Sequence, residues 1–364
     1  MKFQSIFLVF ALILAFGCVS SPESADAGTP PASQPAAPDS SSQPPTPPPV
    51  QDETPAAIEN ASGLPDAGAV EPQINETNET AAEEEAPPVP QLPTNRLLEW
   101  EQEGKVLDDG ISTTTIMKGG SYWMYYTAIG GISLAESTDG LHFTKKGMVL
   151  EGEDGPPVSN QAIIELPDGT YRMIYEMRTG DERMGEREER KLYSAVSSDG
   201  IHWREEPSVR FYDYGEGNNI FTSVPDVLWF NNTLRMYYTV GLTSRIAVST
   251  DNGLTWRKEK IIEVENVSLM LDPDIVRLED GTYKLFFTTF PSGDFWEGGQ
   301  VIMSASSLDG LNFVPDEGVR LELSAGSDGL LVDPDVVAIP GGYRMYYAKL
   351  IGGSSDVYSA TSSE

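Results

Sequence analysis

Ser137-Thr138-Asp139-Gly140-Leu141-His142-Phe143 is a segment that the chain repeats. It returns at residues 197–203, ending on Trp203, and as Ser249-Thr250-Asp251-Asn252-Gly253-Leu254-Thr255-Trp256 with one residue more. A looser copy runs from Ser306 to Phe313. The copies recur every ~50–60 residues, the size of one four-stranded propeller blade.

Working outward, an aromatic stretch lies before each copy: Tyr122-Trp-Met-Tyr-Tyr126, Tyr171-Arg-Met-Ile-Tyr175, Leu234-Arg-Met-Tyr-Tyr238 and Tyr283-Lys-Leu-Phe-Phe287. A fifth, Tyr343-Arg-Met-Tyr-Tyr347, has no copy of the turn after it. Near-continuous apolar runs of this kind suit strands covered on both faces. Each repeat reads as four strands, A to D from the axis outward, with A typified by Asp274-Ile-Val-Arg-Leu278. The fifth repeat lacks its strand D, and Trp100 followed by Gly104-Lys-Val-Leu107 resembles one that has no blade of its own. The expectation is an all-β, five-bladed β-propeller over residues 96–364. It has four antiparallel strands per blade and is closed by an N-terminal strand that completes the last blade, which removes exposed edges.

Composition divides the chain. Lys2, the apolar run of residues 6–16 and Gly17-Cys18 read as a lipoprotein signal sequence over residues 1–17, with Cys18 as the lipidated residue. Residues 18–95, rich in Pro, Ser, Ala and Glu, read as a disordered linker that cannot bury enough apolar surface to offset its ordering entropy. These readings place the protein at the extracellular face of the cell membrane, touching the bilayer through the lipid anchor alone, as a monomer. An uncleaved N-terminal anchor is the alternative. A formal charge of −32 argues against nucleic acid as a partner. Asn60, Asn75, Asn78, Asn231 and Asn266 open short glycosylation sequons, which fit an external location.

In the repeated turn, a short aspartate can accept amide hydrogen bonds, glycine takes the positive φ and the aromatic packs beneath. Asp139, Asp199, Asp251 and Asp309 are therefore read as structural. The only two histidines, His142 and His202, lie in those turns, which excludes Ser-His-Asp, Cys-His and histidine-zinc chemistry. Chemistry must then rest on carboxylates, tyrosines, arginines or a hard cation. The start of strand A is the informative place: Leu271-Asp272-Pro273-Asp274, Val332-Asp333-Pro334-Asp335 and Val224-Pro225-Asp226, with Asn160 in the register of Asp272. Residues two apart share a face of a regular strand, so Asp272 and Asp274 are expected to point together. Such an acidic ring can serve as an acid/base pair, bind sugar hydroxyls or hold calcium. The aspartates could equally pair with the basic residues that recur on strand B: Arg172, Arg235, Lys284 and Arg344.

The domain resembles the arabinanase, invertase and levansucrase-type glycosidase superfamily in its strand-A Asp-Pro, its aromatic strand B and its Ser-x-Asp-Gly-x-x-Trp turn; Ser249 to Trp256 resembles the Asp-box of sialidases. The resemblance implies an aspartate base on the first blade, an assisting aspartate on the second and a glutamate acid on the third. By register these positions fall near Ser112 and Thr113, at Asn160 and near Ser223, none of which is a carboxylate. The candidates for catalysis are accordingly Asp272, Asp333, Asp226 and Glu176. Asn160, Asp274, Asp335, Arg178, Tyr214 and Trp296 are candidates for contacting substrate. No cofactor is required, although a calcium ion in the channel is allowed. Two functions stay open: a glycoside hydrolase using paired carboxylates on an extracellular polysaccharide, or a non-catalytic propeller that binds glycan or protein.

Overall fold

The computed structural model describes residues 99–152, 157–180, 186–215, 221–291, 299–323 and 329–363. The signal sequence, Cys18, the linker and Trp296 lie outside the described residues. Twenty-one strands among the described residues form five sheets, one per blade. Blade 1 is β2 (Ile111–Lys118), β3 (Ser121–Ala128), β4 (Gly131–Ser137) and β5 (Thr144–Glu151). Blade 2 is β6 (Val158–Glu165), β7 (Tyr171–Thr179), β8 (Glu189–Ser197) and β9 (Arg204–Glu205). Blade 3 is β10 (Thr222–Phe230), β11 (Thr233–Val240), β12 (Thr243–Ser249) and β13 (Arg257–Ile261). Blade 4 is β14 (Leu271–Arg277), β15 (Tyr283–Thr289) and β16 (Val301–Ser307), with an outer strand broken into β17 (Val314–Pro315) and β18 (Leu321–Glu322). Blade 5 is β19 (Leu330–Ile339), β20 (Gly342–Ile351) and β21 (Ser354–Ser363), completed by β1 (Glu101–Leu107).

Closure takes the form anticipated from Trp100 to Leu107. β1 pairs antiparallel with β21, with Glu101 opposite Thr361 and Leu107 opposite Val357. The Trp100 ring meets Phe286 edge-on at 5.6 Å, as Trp203 meets Tyr125, Phe313 meets Tyr237 and Phe143 meets Tyr346. Trp100 is thus the turn aromatic of the blade that has no turn.

The core lies between the blades. Strand-B side chains alternate between the two neighbours: Met173 and Tyr175 pack toward blade 1 with Tyr125 and Leu134, whereas Ile174 packs toward blade 3 with Met236 and Tyr238. This is why the strands read as apolar on both faces. Outer strands carry the charge instead, as in Arg257-Lys-Glu-Lys-Ile261, which blunts an edge that could otherwise recruit another chain.

The repeated turns are structural clamps. Asp139 Oδ1 accepts the amides of Leu141 and His142 at 2.9 Å each, and Ser137 Oγ accepts the Gly140 amide at 2.9 Å. In the last copy the working hydroxyl is Ser307, one residue later than the looser reading from Ser306 suggests. Each turn also offers carbonyls to the preceding blade. Tyr125, Tyr237 and Tyr346 donate their hydroxyls to the Gly200, Gly310 and Gly140 carbonyls at 2.8, 2.6 and 2.9 Å. Gly140 sits at φ 73°, and a Cβ there would run into the Arg344 guanidinium.

Arg172, Arg235 and Arg344 serve the same seams, while Lys284 pairs with an acid of its own blade. Arg344 holds Glu103 through two nitrogens at 2.9 and 3.0 Å and the Asp139 carbonyl at 2.8 Å. Arg172 holds Glu206 at 3.1 and 3.0 Å together with the Asn252 carbonyl, Arg235 reaches the Asp309 carbonyl, and Lys284 holds Asp316 at 2.9 Å. The pairing weighed in the sequence fails because strand B is separated from the axis by the whole of strand A.

Candidate functional site

Every strand A begins with the same irregularity. The pairing register slips between Ile111 and Thr114, Ser159 and Ala162, Ser223 and Asp226, Leu271 and Asp274, and Val332 and Asp335. At each slip one non-glycine residue turns left-handed: Ser112, Asn160, Val224, Asp272 and Asp333, with φ between 44° and 53°. Bulges re-aim side chains at barrel and propeller rims. Because of them, the two-residue alternation assumed for Asp272 and Asp274 does not hold across the start of the strand.

The aspartates after the bulge staple neighbouring blades. Asp226 accepts the Ile275 amide of blade 4 at 2.8 Å, Asp274 accepts the Val336 amide of blade 5 at 3.2 Å, and Asp335 accepts the amide and hydroxyl of Thr115 in blade 1 at 3.2 and 2.7 Å. Blade 1 has Thr114 at this place, whose hydroxyl reaches the Gln161 carbonyl of blade 2. The structure therefore gives Asp226, Asp274 and Asp335 a stapling role. With Asp333, Asn160 and Ser112 they line an axial cavity of ≈ 20 Å³, room for about one water.

These staples are ionisable groups in a poor solvent for charge. Burial pushes Asp226 up to about 6, against the opposing amides of Ile275 and Val227. Burial, with Asp226 and Asp335 nearby, holds Asp274 well above the usual carboxylate range, and burial also raises Asp335 against its Thr115 hydrogen bonds. Among the described residues, no group of three or more His, Cys, Asp or Glu is arranged to hold a metal ion.

A second set of polar groups gathers at the bulge level. Asp333 accepts the Ser112 hydroxyl at 2.7 Å and is 7% exposed. Its carboxyl is held well above the ordinary range by burial first, then by Asp272 and Glu176. Burial also pushes Asp272 up to about 6, against Thr288 and the Asp333 amide. Glu176, 1% exposed, takes Asn160 Nδ2 at 2.8 Å and the Ser223 hydroxyl on Oε2, while Arg190 Nη1 stands 3.6 Å from Oε1. Asn160 Nδ2 also reaches Ser223 Oγ at 3.0 Å. Asp333 of blade 5 thus feels both Asp272 of blade 4 and Glu176 of blade 2.

Other candidates lie apart from this set. Arg178 faces Glu188 at 3.6 Å. Tyr214 is 45% exposed and packs edge-on against Tyr212 at 5.6 Å, anchored by its amide on Asp213. Arg190 was hidden in the sequence inside what reads as one charged loop of residues 179–190; it is a strand residue of β8 opposite Arg178, 4% exposed, with its guanidinium over Phe221.

The solved structures most like this one include an α-L-arabinanase of Cellvibrio cellulosa complexed with arabinohexaose. That likeness has a TM-score of 0.54 and 13% identity, and it covers 71% of this chain and 92% of that one. The chain shares its five-bladed fold. A thermostable family-43 glycoside hydrolase gives a TM-score of 0.52 at 14% identity, covering 70% of this chain and 89% of that one. A further glycoside hydrolase gives 0.57 at 18% identity, covering 72% and 92%. Neither a protein-family model nor a curated protein sequence matches the chain.

Proposed function

We propose that this propeller acts on an extracellular glycan at the opening where Asn160, Glu176, Asp272 and Asp333 meet, as a glycoside hydrolase whose carboxyls stand on blades 2, 4 and 5 rather than at the three positions of the resembled enzymes. One observation carries this reading. The five blades are each other's controls, and register aligns Glu176 with Thr127, Thr239, Thr288 and Ala348. Blade 2 alone carries a carboxylate there, and it bears on Asp333 across the opening.

In this reading Asp333, which keeps its proton through burial, supplies it to the glycosidic oxygen as the C–O bond breaks. Glu176, beside Arg190, supports the charge that develops on the sugar and takes the proton of the attacking water, or bonds to the anomeric carbon first. The solved relatives support the substrate class: one holds arabinohexaose and another, from Xanthomonas citri, holds xylotriose. The signal sequence, the lipidated Cys18 and the linker complete the proposal, holding a monomeric domain outside the cell.

A specific observation favours a second reading, recognition without turnover. The three positions where the resemblance places the acids fall near Ser112 and Thr113, at Asn160 and near Ser223, and none of these is a carboxylate. A panel of aryl glycosides and polysaccharides separates the two. Turnover that disappears in both Asp333→Asn and Glu176→Gln supports hydrolysis, and saturable binding without turnover supports recognition. Neither turnover nor binding would end the glycan proposal.

A further inference from the structure

We infer that the face opposite the opening carries a second saccharide site, a cleft between blades 2 and 3 built for a neutral sugar. The cleft has a volume of ≈ 640 Å³ and is lined by Glu165, Leu166, Trp229, Asn231, Asn232 and Asn252, among others. Ligand pockets usually run ~300–1,000 Å³ with an apolar wall and a few polar groups. Trp229 is the penultimate residue of β10, six residues beyond Ser223, which puts it on the order of 20 Å along the strand from the opening.

Two departures from the five-fold repeat coincide here. In strand A the place of Trp229 is taken by Met117, Glu165, Arg277 and Ala338 in the other blades. Among the repeated turns, that of blade 3 alone carries the additional Asn252. Repeat geometry requires neither residue, and both line the same cleft.

The chemistry is that of sugar recognition. The Trp229 indole donates its N–H to the Glu165 carbonyl at 3.0 Å, and the side chain packs on the apolar cluster of Leu166, Met236 and Tyr238. Its ring is thereby pinned, with its N–H already used, and presents apolar surface to the cleft. Around it stand the exposed amides of Asn231, Asn232 and Asn252, whose side chains make no hydrogen bond with another described residue. An amide offers both donors and acceptors, as a run of hydroxyls requires. Glu165 is the only ionised group among the lining residues, so a neutral saccharide suits the cleft better than a uronate.

The inference shares its ligand class with the proposed function but depends on different residues. The test is isothermal titration of the full chain, made in a host that leaves Asn231 unglycosylated, with soluble arabinan, xylan, β-glucan and mannan. Trp229→Ala and Asn252→Gly are compared with Asp333→Asn; glycine tolerates the φ of 59° at Asn252 and deletes only its amide. The expected result is at least a ten-fold loss of binding in Trp229→Ala and a measurable loss in Asn252→Gly, whether or not Asp333→Asn also weakens binding at the opening. Unchanged binding in both cleft variants, binding lost only in Asp333→Asn, or no binding by the parent would overturn the inference. Should Trp229→Ala fail to fold, Asn252→Gly alone decides.

Discussion

Asn160 Nδ2 lies 2.8 Å from Glu176 Oε2, so the blade-2 residue at the position of an assisting acid serves as a donor to a carboxylate on the neighbouring strand. Glu176→Gln can keep an oxygen toward Asn160 and Ser223, but it then turns an NH₂ toward Arg190 and removes the negative charge. Turnover is expected to fall by at least 100-fold on whichever glycan the parent cleaves. Thermal stability should drop only modestly, because Arg190 keeps Glu188 at 2.9 Å. Parallel kinetics and melting curves check this; full activity in the variant would remove Glu176 from the mechanism.

Stability should depend on pH in two opposed ways. Asp226 and Asp272 fold with carboxyls near pH 6, above an unfolded value of about 3.9, so the folded state binds more protons between them. Their contribution is present below about pH 4 and lost as pH rises through about 6. The turn aspartates work oppositely. His142 and His202 hold Asp139 and Asp199 below the usual range, and at Asp309 the amides of Asn312 and Leu311 outweigh burial to give about 2. Their contribution is lost as pH falls through those low values. The melting temperature should therefore peak between about pH 4 and 5 and decline toward 7, with a flatter decline in Asp226→Asn. A melting temperature that climbs steadily from pH 5 to 7 would contradict this account.

The fold was legible because its evidence repeats. Tyr125, Tyr237 and Tyr346 recur since each spans the same seam to a turn carbonyl, and Trp100 betrayed the closing strand by matching the other turn aromatics. The site was legible only as a region. Asp272 and Asp274 look equivalent in a string of letters, yet a bulge with φ 50° at Asp272 separates their surroundings, and no local signal announced it. Arg190 was harder still, because its approach to Glu176 depends on where β8 begins, which charge patterning in residues 179–190 conceals.

Val224 occupies its bulge at φ 44°, a left-handed conformation that a β-branched residue adopts at a steric cost. Non-glycine residues in such regions store about 1–3 kcal/mol. The equivalent residue in blade 2 is Asn160, a type that tolerates this conformation, and Val224→Asn should recover about 1 kcal/mol of stability. Urea denaturation checks it through a higher midpoint at unchanged slope. A loss of stability would mean that the side chain packing of Val224 outweighs its backbone strain.

The seam between blades 5 and 1 joins the two ends of the domain, and Arg344 is its principal polar bond. Its guanidinium is 8% exposed and grips Glu103 on β1 as well as the Asp139 carbonyl of blade 1. Arg344→Met leaves Glu103 partly buried without its cation, which should cost about 2–4 kcal/mol, below the full penalty for a wholly buried pair because Glu103 keeps some water. Tyr346→Phe removes one hydroxyl-to-carbonyl bond to Gly140 and should cost about 1 kcal/mol. Blade 4 already tolerates this state with Phe286 at the same place. Arg235→Met provides the internal comparison, since Arg235 reaches a turn carbonyl in the middle of the ring with a more exposed side chain and should cost less than Arg344→Met. Equal costs at the two sites, measured by denaturant unfolding, would show that the closing seam bears no special share of the stability.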